Sequence, residues 1–221
     1  DFNPDQDFLG ELYMALDLGN DHAGQFFTPY NVCRMMAEIT GTGLQARVER
    51  DGWISVNDCA CGAGALLVAF ANACTRQKIN YQTSVLFVAQ DIDYIVGLMC
   101  YLQLSLMGCA GYVVIGDTLL HPSTALDRRG LIPRPDQNIW YTPFYFRDIW
   151  HYRRIGAQME LLFPPVDTQD QQVTRKLGKQ DAPTVSASPA PATGSSQQVT
   201  KPAAPPALPL RETKAGQLTL F

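Results

Sequence analysis

The feature that most constrains this chain is the run Val56-Asn57-Asp58-Cys59-Ala60-Cys61-Gly62-Ala63-Gly64-Ala65, where an apolar stretch ends in an acid and breaks into two close-set glycines before a helical pattern begins. Trp53 to Val56 alternate enough to read as a buried strand, and Leu66, Leu67, Phe70 and Ala73 recur at helical spacing. The glycines therefore fall at a strand-to-helix turn. Backbone without side chains lets a ligand come close there, while a carboxylate at the strand end accepts its hydrogen bonds. A tight turn in an α/β protein with no ligand has the same local signature, so the turn alone does not assign a chemistry.

The surrounding pattern adds to it. Phe8, Leu9, Leu12, Tyr13 and Leu16 share a helical face that Gly19-Asn20 ends. Thr28-Pro29 predicts a helix start, with Thr28 as N-cap, Pro29 in the first turn, and Val32, Met35, Met36 and Ile39 as the buried stripe, stopped by Gly41-Thr42-Gly43. After the strand ending at Asp58 comes a helix to about Gln77, then an apolar strand from Ser84 to Gln90 ending at Asp91, which makes one βαβ unit. A helix follows with Ile95, Leu98, Met99, Leu102 and Leu106 on one side, closed by Gly108 to Gly111. Tyr112 to Ile115 reads as a third strand, ending in Gly116-Asp117. Three successive strands thus end in an acid, and the carboxyl ends of parallel strands form the binding crevice of open α/β sheets. Asp58, Asp91 and Asp117 are expected along one sheet edge, where massed carboxylates favour a ligand that offers hydroxyls, an amine or an amino group.

Of the 221 residues 46% are hydrophobic, enough for one core, but apolar periodicity stops near Pro165. The expected organisation is a helical segment over 1–40, an α/β domain over 41–165, a flexible Pro/Ala/Ser-rich linker over 166–213 and a terminal peptide over 214–221. A net charge of -4 argues against non-specific nucleic-acid binding as a dominant activity, although Arg128, Arg129, Arg134, Arg147, Arg153 and Arg154 make a local basic stretch. The aromatics Trp140, Tyr141, Phe144, Tyr145, Phe146, Trp150 and Tyr152 can stack on bases, but the favoured reading is a packing layer over the sheet. Cysteines 33, 59, 61, 74, 100 and 109 lack paired metal-ligand spacing, so neither zinc nor a disulfide framework is expected, and a reducing cytoplasm fits best. No N-terminal signal peptide is read, and the most apolar stretch, Ile92 to Val114, is interrupted by Asp93, Gln103 and Ser105, so no membrane association is expected. His22, His121 and His151 are scattered and read as surface or core residues. A start at Asp1 without methionine suggests a fragment or a processed chain.

From Phe8 to Leu119 the motifs resemble, in order, the adenine-specific DNA methyltransferases of type I restriction-modification systems, the N-6 DNA methylase family of bacteria and their mobile elements. Gly24-Gln25-Phe26-Phe27-Thr28-Pro29 is similar to the family's N-terminal cofactor motif. Asp58-Cys59-Ala60-Cys61-Gly62-Ala63-Gly64 is similar to its glycine-rich motif, with Cys59 in place of the usual proline, and Gln90-Asp91-Ile92-Asp93 and Gly116-Asp117-Thr118-Leu119 complete the set. The resemblance implies a Rossmann-like α/β fold, mostly parallel with helices on both faces and truncated on its C-terminal side, with S-adenosylmethionine as cofactor. Phe27, Thr28 and Pro29 would contact its methionine part, with Asp58, Cys61, Gly62 and Gly64 forming the turn around it. Asp91 would accept the ribose hydroxyls and Asp117 the adenine amino group. The substrate implied is DNA, methylated on adenine N6.

One family motif is degenerate. After the fourth strand such enzymes carry Asn, Asp or Ser, two prolines and an aromatic residue, which grip the amino group of a flipped base and stack on it. The nearest match in position is Thr142-Pro143-Phe144-Tyr145, which makes Thr142, Pro143 and Tyr145 the candidate catalytic residues; Leu162-Phe163-Pro164-Pro165-Val166 has only the double proline. No target-recognition region follows, so a separate specificity subunit is a candidate partner. At the end of the chain, Gln217-Leu218-Thr219-Leu220-Phe221 resembles the peptide by which bacterial proteins dock on the replicative sliding clamp, with Gln217, Leu218, Leu220 and Phe221 as anchors and the linker as tether. Three readings follow: an adenine methyltransferase-type domain, an inactive accessory module that keeps the cofactor pocket and the clamp tether, and a nicotinamide-dependent oxidoreductase, which the glycine turn alone permits.

Overall fold

The computed structural model describes residues 5–16, 18 and 27–163, and the backbone of 217–219. The expected helix stop at Gly19-Asn20, residues 24–26 of the first motif, the double proline at 164–165, the linker over 166–213, and Leu220 and Phe221 lie outside the described residues. In chain order the elements are α1 (Phe8–Ala15), α2 (Tyr30–Thr40), α3 (Leu44–Asp51), β1 (Ile54–Asp58), α4 (Ala65–Arg76), α5 (Tyr81–Ser84), β2 (Val85–Asp91), α6 (Tyr94–Leu106), β3 (Ala110–Ile115), β4 (Asn138–Tyr141), a 3-10 turn (Pro143–Phe146), α7 (Asp148–Leu162) and β5 (Gln217–Thr219). The sheet order is β4-β3-β2-β1-β5. β1, β2, β3 and β5 pair in parallel, and β4 runs antiparallel to β3. This is the α/β, Rossmann-like architecture that the strand–helix alternation implies.

The central strands are buried on both faces, β2 and β3 as nearly continuous apolar runs and β1 with Ser55 and Asn57 between Ile54 and Val56 and its terminal Asp58. Ile54, Val56, Phe87, Ala89 and Val113 pack with Cys33, Ala37, Leu67, Phe70, Cys74, Cys100 and Leu104 of α2, α4 and α6. On the other face Trp53, Leu86, Val88, Tyr112 and Val114 meet Leu131, Tyr145 and Trp150. Trp53 and Trp150 sit edge to face, with ring centroids 5.7 Å apart. The aromatic segment after β4 therefore packs, with Tyr145 and Trp150 buried, while Phe146 and Tyr152 project outward. Several arginines of the basic stretch are spent on this layer. Arg153 donates to the carbonyls of Thr83 and Gly52 and lies over Trp150, and Arg154 donates to the carbonyl of Tyr145. Burial and the neighbouring Arg129 pull the Arg153 guanidinium down to about 10.

The helices correct the expected faces. α2 begins after Pro29, which is itself the N-cap, and Thr28 makes no capping bond. Its buried residues are Cys33, Ala37 and Thr40, whereas Val32, Met35 and Ile39 of the expected stripe are exposed. In α6 the inward residues are Val96, Gly97, Cys100, Gln103 and Leu104, while Ile95, Leu102 and Leu106 face outward. Both helices carry apolar residues around much of their circumference, so size decides the face: small side chains let a helix approach its neighbours closely. α3 has no counterpart in the sequence reading, since Leu44 is its single buried residue and leaves no period to detect. No helix among the described residues is long and apolar enough to cross a membrane.

Candidate functional site

Parallel pairing sets Asp58 beside Ala89 and Asp91 beside Ile115, so the ends of β1, β2 and β3 share one edge of the sheet. The loops leaving that edge are cross-braced. Asp91 accepts the Gly62 N–H through Oδ2 at 2.8 Å and the Asp93 N–H through Oδ1 at 2.9 Å. The Cys61 N–H donates to the Gln90 carbonyl at 3.0 Å, and the Gly116 N–H to the Asp91 carbonyl at 2.8 Å. Thr118 Oγ1 reaches over to donate to the Cys59 carbonyl at 2.6 Å. Gln90, fully buried, donates to the carbonyls of Gly116 and His121 and accepts from the Ser123 N–H. These bonds hold the rim of the crevice in one shape before any ligand arrives.

The two glycines do different work. Gly62 has φ +52°, and a Cβ there would meet the ring of Phe27 at 3.6 Å, so Phe27 covers the turn. Gly64 has φ +94°, and its Cβ would come within 2.8 Å of Cys100 Sγ, so this glycine lets α4 approach α6.

Beside the turn lies a small cleft open to solvent, lined by Asp7, Phe27, Thr28, Asp58, Cys61 and Gly62 among others. Two of its carboxylates are almost fully buried: Asp58 at 2% and Asp7 at 4% exposure. Burial pushes Asp58 up to about 6, opposed by its hydrogen bond from the Ala60 N–H and reinforced by the negative charge of Asp91. Asp7 caps α1 by accepting from the Gly10 N–H and also accepts from Gln103 Nε2 at 2.7 Å. Cys33, in the wall of the cleft, is pushed up to about 11 by burial and then by the charges of Asp7 and Asp58. The Cys61 thiol is held well above its ordinary range by its hydrogen bond with Cys100 and by burial. Among the described residues no lysine or arginine forms an ion pair with Asp7 or Asp58. A cleft with two buried carboxylates and no cationic side chain paired with them among the described residues suits a positively charged ligand.

The structure brings together Phe27, Thr28, Asp58, Cys61 and Gly62, with Asp91 bracing the turn from behind. Pro29 lies in an adjoining groove with Tyr30 and Asn31. Asp117 lines a neighbouring hollow with Gly116 and His121, where its Oδ1 accepts the N–H groups of Leu119 and Leu120. Asp7 and Gln103 were not singled out as site residues by the sequence, and Gln90 and Thr118 stood there only as members of motifs, with no role of their own. Asp7 had one detectable signal, its place as a helix-capping acid just before Phe8.

Thr142, Pro143 and Tyr145 lie away from the crevice, beyond the other end of β3. Thr142 Oγ1 accepts from the Gly111 N–H at 3.0 Å and donates to the Cys109 carbonyl at 2.7 Å, at the amino end of β3. Tyr145 is buried with its hydroxyl on the Leu131 carbonyl at 2.7 Å. The stretch from Gly111 to Ile115 sets these residues roughly 13 Å along the strand direction from the crevice edge. The segment is a structural corner that closes the sheet, and its polar atoms are spent on backbone.

A model of the N-6 DNA Methylase family matches residues 5–150. No curated protein and no solved structure matches the chain.

Proposed function

Because the chain belongs to the N-6 DNA methylase family, we propose that the cleft between Asp7, Asp58 and Gly62 binds S-adenosylmethionine and that the chain is the cofactor-holding part of a DNA adenine N6-methyltransferase. The observation that carries this reading is the pair of buried carboxylates without a resident cation. When bound, S-adenosylmethionine supplies a methyl group on a positively charged sulfur, open to direct displacement. Asp58 and Asp7 would answer the ligand's positive charges, and the Gly62 backbone under Phe27 leaves room for its methionine part. Asp91 spends one bond from each oxygen on the turn, which leaves acceptor capacity for a diol. Asp117 uses only Oδ1, so Oδ2 stays open for an amino group.

The position of Thr142 and Tyr145 at the far end of β3 favours a second reading for turnover, in which the chain binds cofactor without transferring methyl by itself. In that reading it serves as an accessory to DNA processing, tethered to the bacterial sliding clamp through Gln217, Leu218, Leu220 and Phe221. A specificity subunit is a further candidate partner. Titration calorimetry with S-adenosylmethionine tests the shared premise: binding is expected, and its absence, with a nicotinamide dinucleotide binding instead, overturns it. Transfer of labelled methyl to DNA, with and without clamp, then separates the enzyme from the accessory.

A further inference from the structure

Every residue of β1 is at most 9% exposed, yet within the folded body only one of its edges is paired, to β2. Among the described residues the other edge is met only by β5. A strand covered on both faces and open along one edge is a template for another strand, because its outward N–H and C=O groups are costly to leave unpaired. The pairing sets Ser55 beside Gln217, Val56 beside Leu218 and Asn57 beside Thr219. By residue type both strands read polar, apolar, polar, and a slip of one position would set Leu218 against a polar neighbour.

We propose that the outer edge of β1 is a strand-docking site whose occupant is the chain's own C-terminal segment, Gln217–Thr219, and that docking withdraws this segment from any external peptide groove. Three residues make few ladder bonds, so the docked strand exchanges readily with the undocked one. Docking stands on the pairing itself; its exclusion of a partner rests on the clamp reading of the pentapeptide.

Hydrogen exchange followed by mass spectrometry on the full chain reads the amides of 54–58 directly. Deleting 217–221, or introducing Leu218→Pro to disrupt the short strand, is expected to speed exchange at 54–58 by about tenfold or more, with 65–76 unchanged as the control for folding. A synthetic peptide of residues 215–221, in excess, is expected to restore protection to the deleted chain. Unchanged exchange at 54–58 in both variants overturns docking. Protection that rises with protein concentration alongside a dimer in sedimentation overturns the intrachain occupant in favour of a second copy. In a separate arm the sliding clamp is added to the full chain: binding with faster exchange at 54–58 supports exclusion, and binding with undiminished protection overturns it. A clamp that does not bind overturns the clamp reading and the exclusion, while docking itself stands or falls with the deletion.

Discussion

Asp58 holds the sharpest conflict between stability and ligand capture. Its carboxyl rises from 3.8 to about 6 on burial, so the folded chain holds this proton more tightly than the unfolded one. The stabilisation is full below pH 4 and is lost as pH climbs through 6, which leaves a burial cost at neutral pH. Asp58→Asn should therefore raise stability by about 2 to 3 kcal/mol at pH 7.5 and by little below pH 4. Denaturant unfolding across that range measures the effect. The same variant should bind S-adenosylmethionine at least about tenfold more weakly, and in the parent chain affinity should fall as pH drops below 6 and the carboxylate is neutralised. Asp58, Asp91 and Asp117 were visible in the sequence because each follows an apolar run. Asp7, the second acid of the cleft, was not, since it is joined to the cleft only through the folding of α1 against α6.

At the level of elements, strands were easier to read than helix faces. β1 announces itself by alternation and β2 as an apolar run, but α2 and α6 turn their small residues inward and leave Met35, Ile39, Ile95 and Leu106 outside, a choice of packing distance that periodicity does not encode. Gly64 shows how tight that distance is. Gly64→Ala should cost about 1 to 3 kcal/mol through its positive φ and its contact with Cys100. Adding Cys100→Ala should return part of that loss, a coupling that a double-mutant cycle reads. In the corner after β4 a motif-like string carries packing and backbone bonds. Thr142→Val should destabilise the fold by about 1 to 3 kcal/mol by orphaning the Gly111 N–H and the Cys109 carbonyl, with cofactor affinity unchanged. A loss of affinity without a loss of stability would return Thr142 to the site.

For the molecule as a whole, a net charge of -4 and arginines engaged with carbonyls and aromatic rings leave little to grip a phosphate backbone. The chain by itself should bind duplex DNA weakly at physiological salt, and fluorescence anisotropy revealing tight binding with a steep salt dependence would contradict this. The strand order was only half legible. The βαβ succession announces β1 to β3, but nothing local says that β1 ends up beside residues from the far end of the chain, because a three-residue strand carries no pattern of its own. That pairing also sets an order of events. On the ribosome β1 emerges well before β5, so in the interval a nascent chain carries an uncapped edge, and a chaperone or a neighbouring nascent chain can reach that edge before residues 217–219 do.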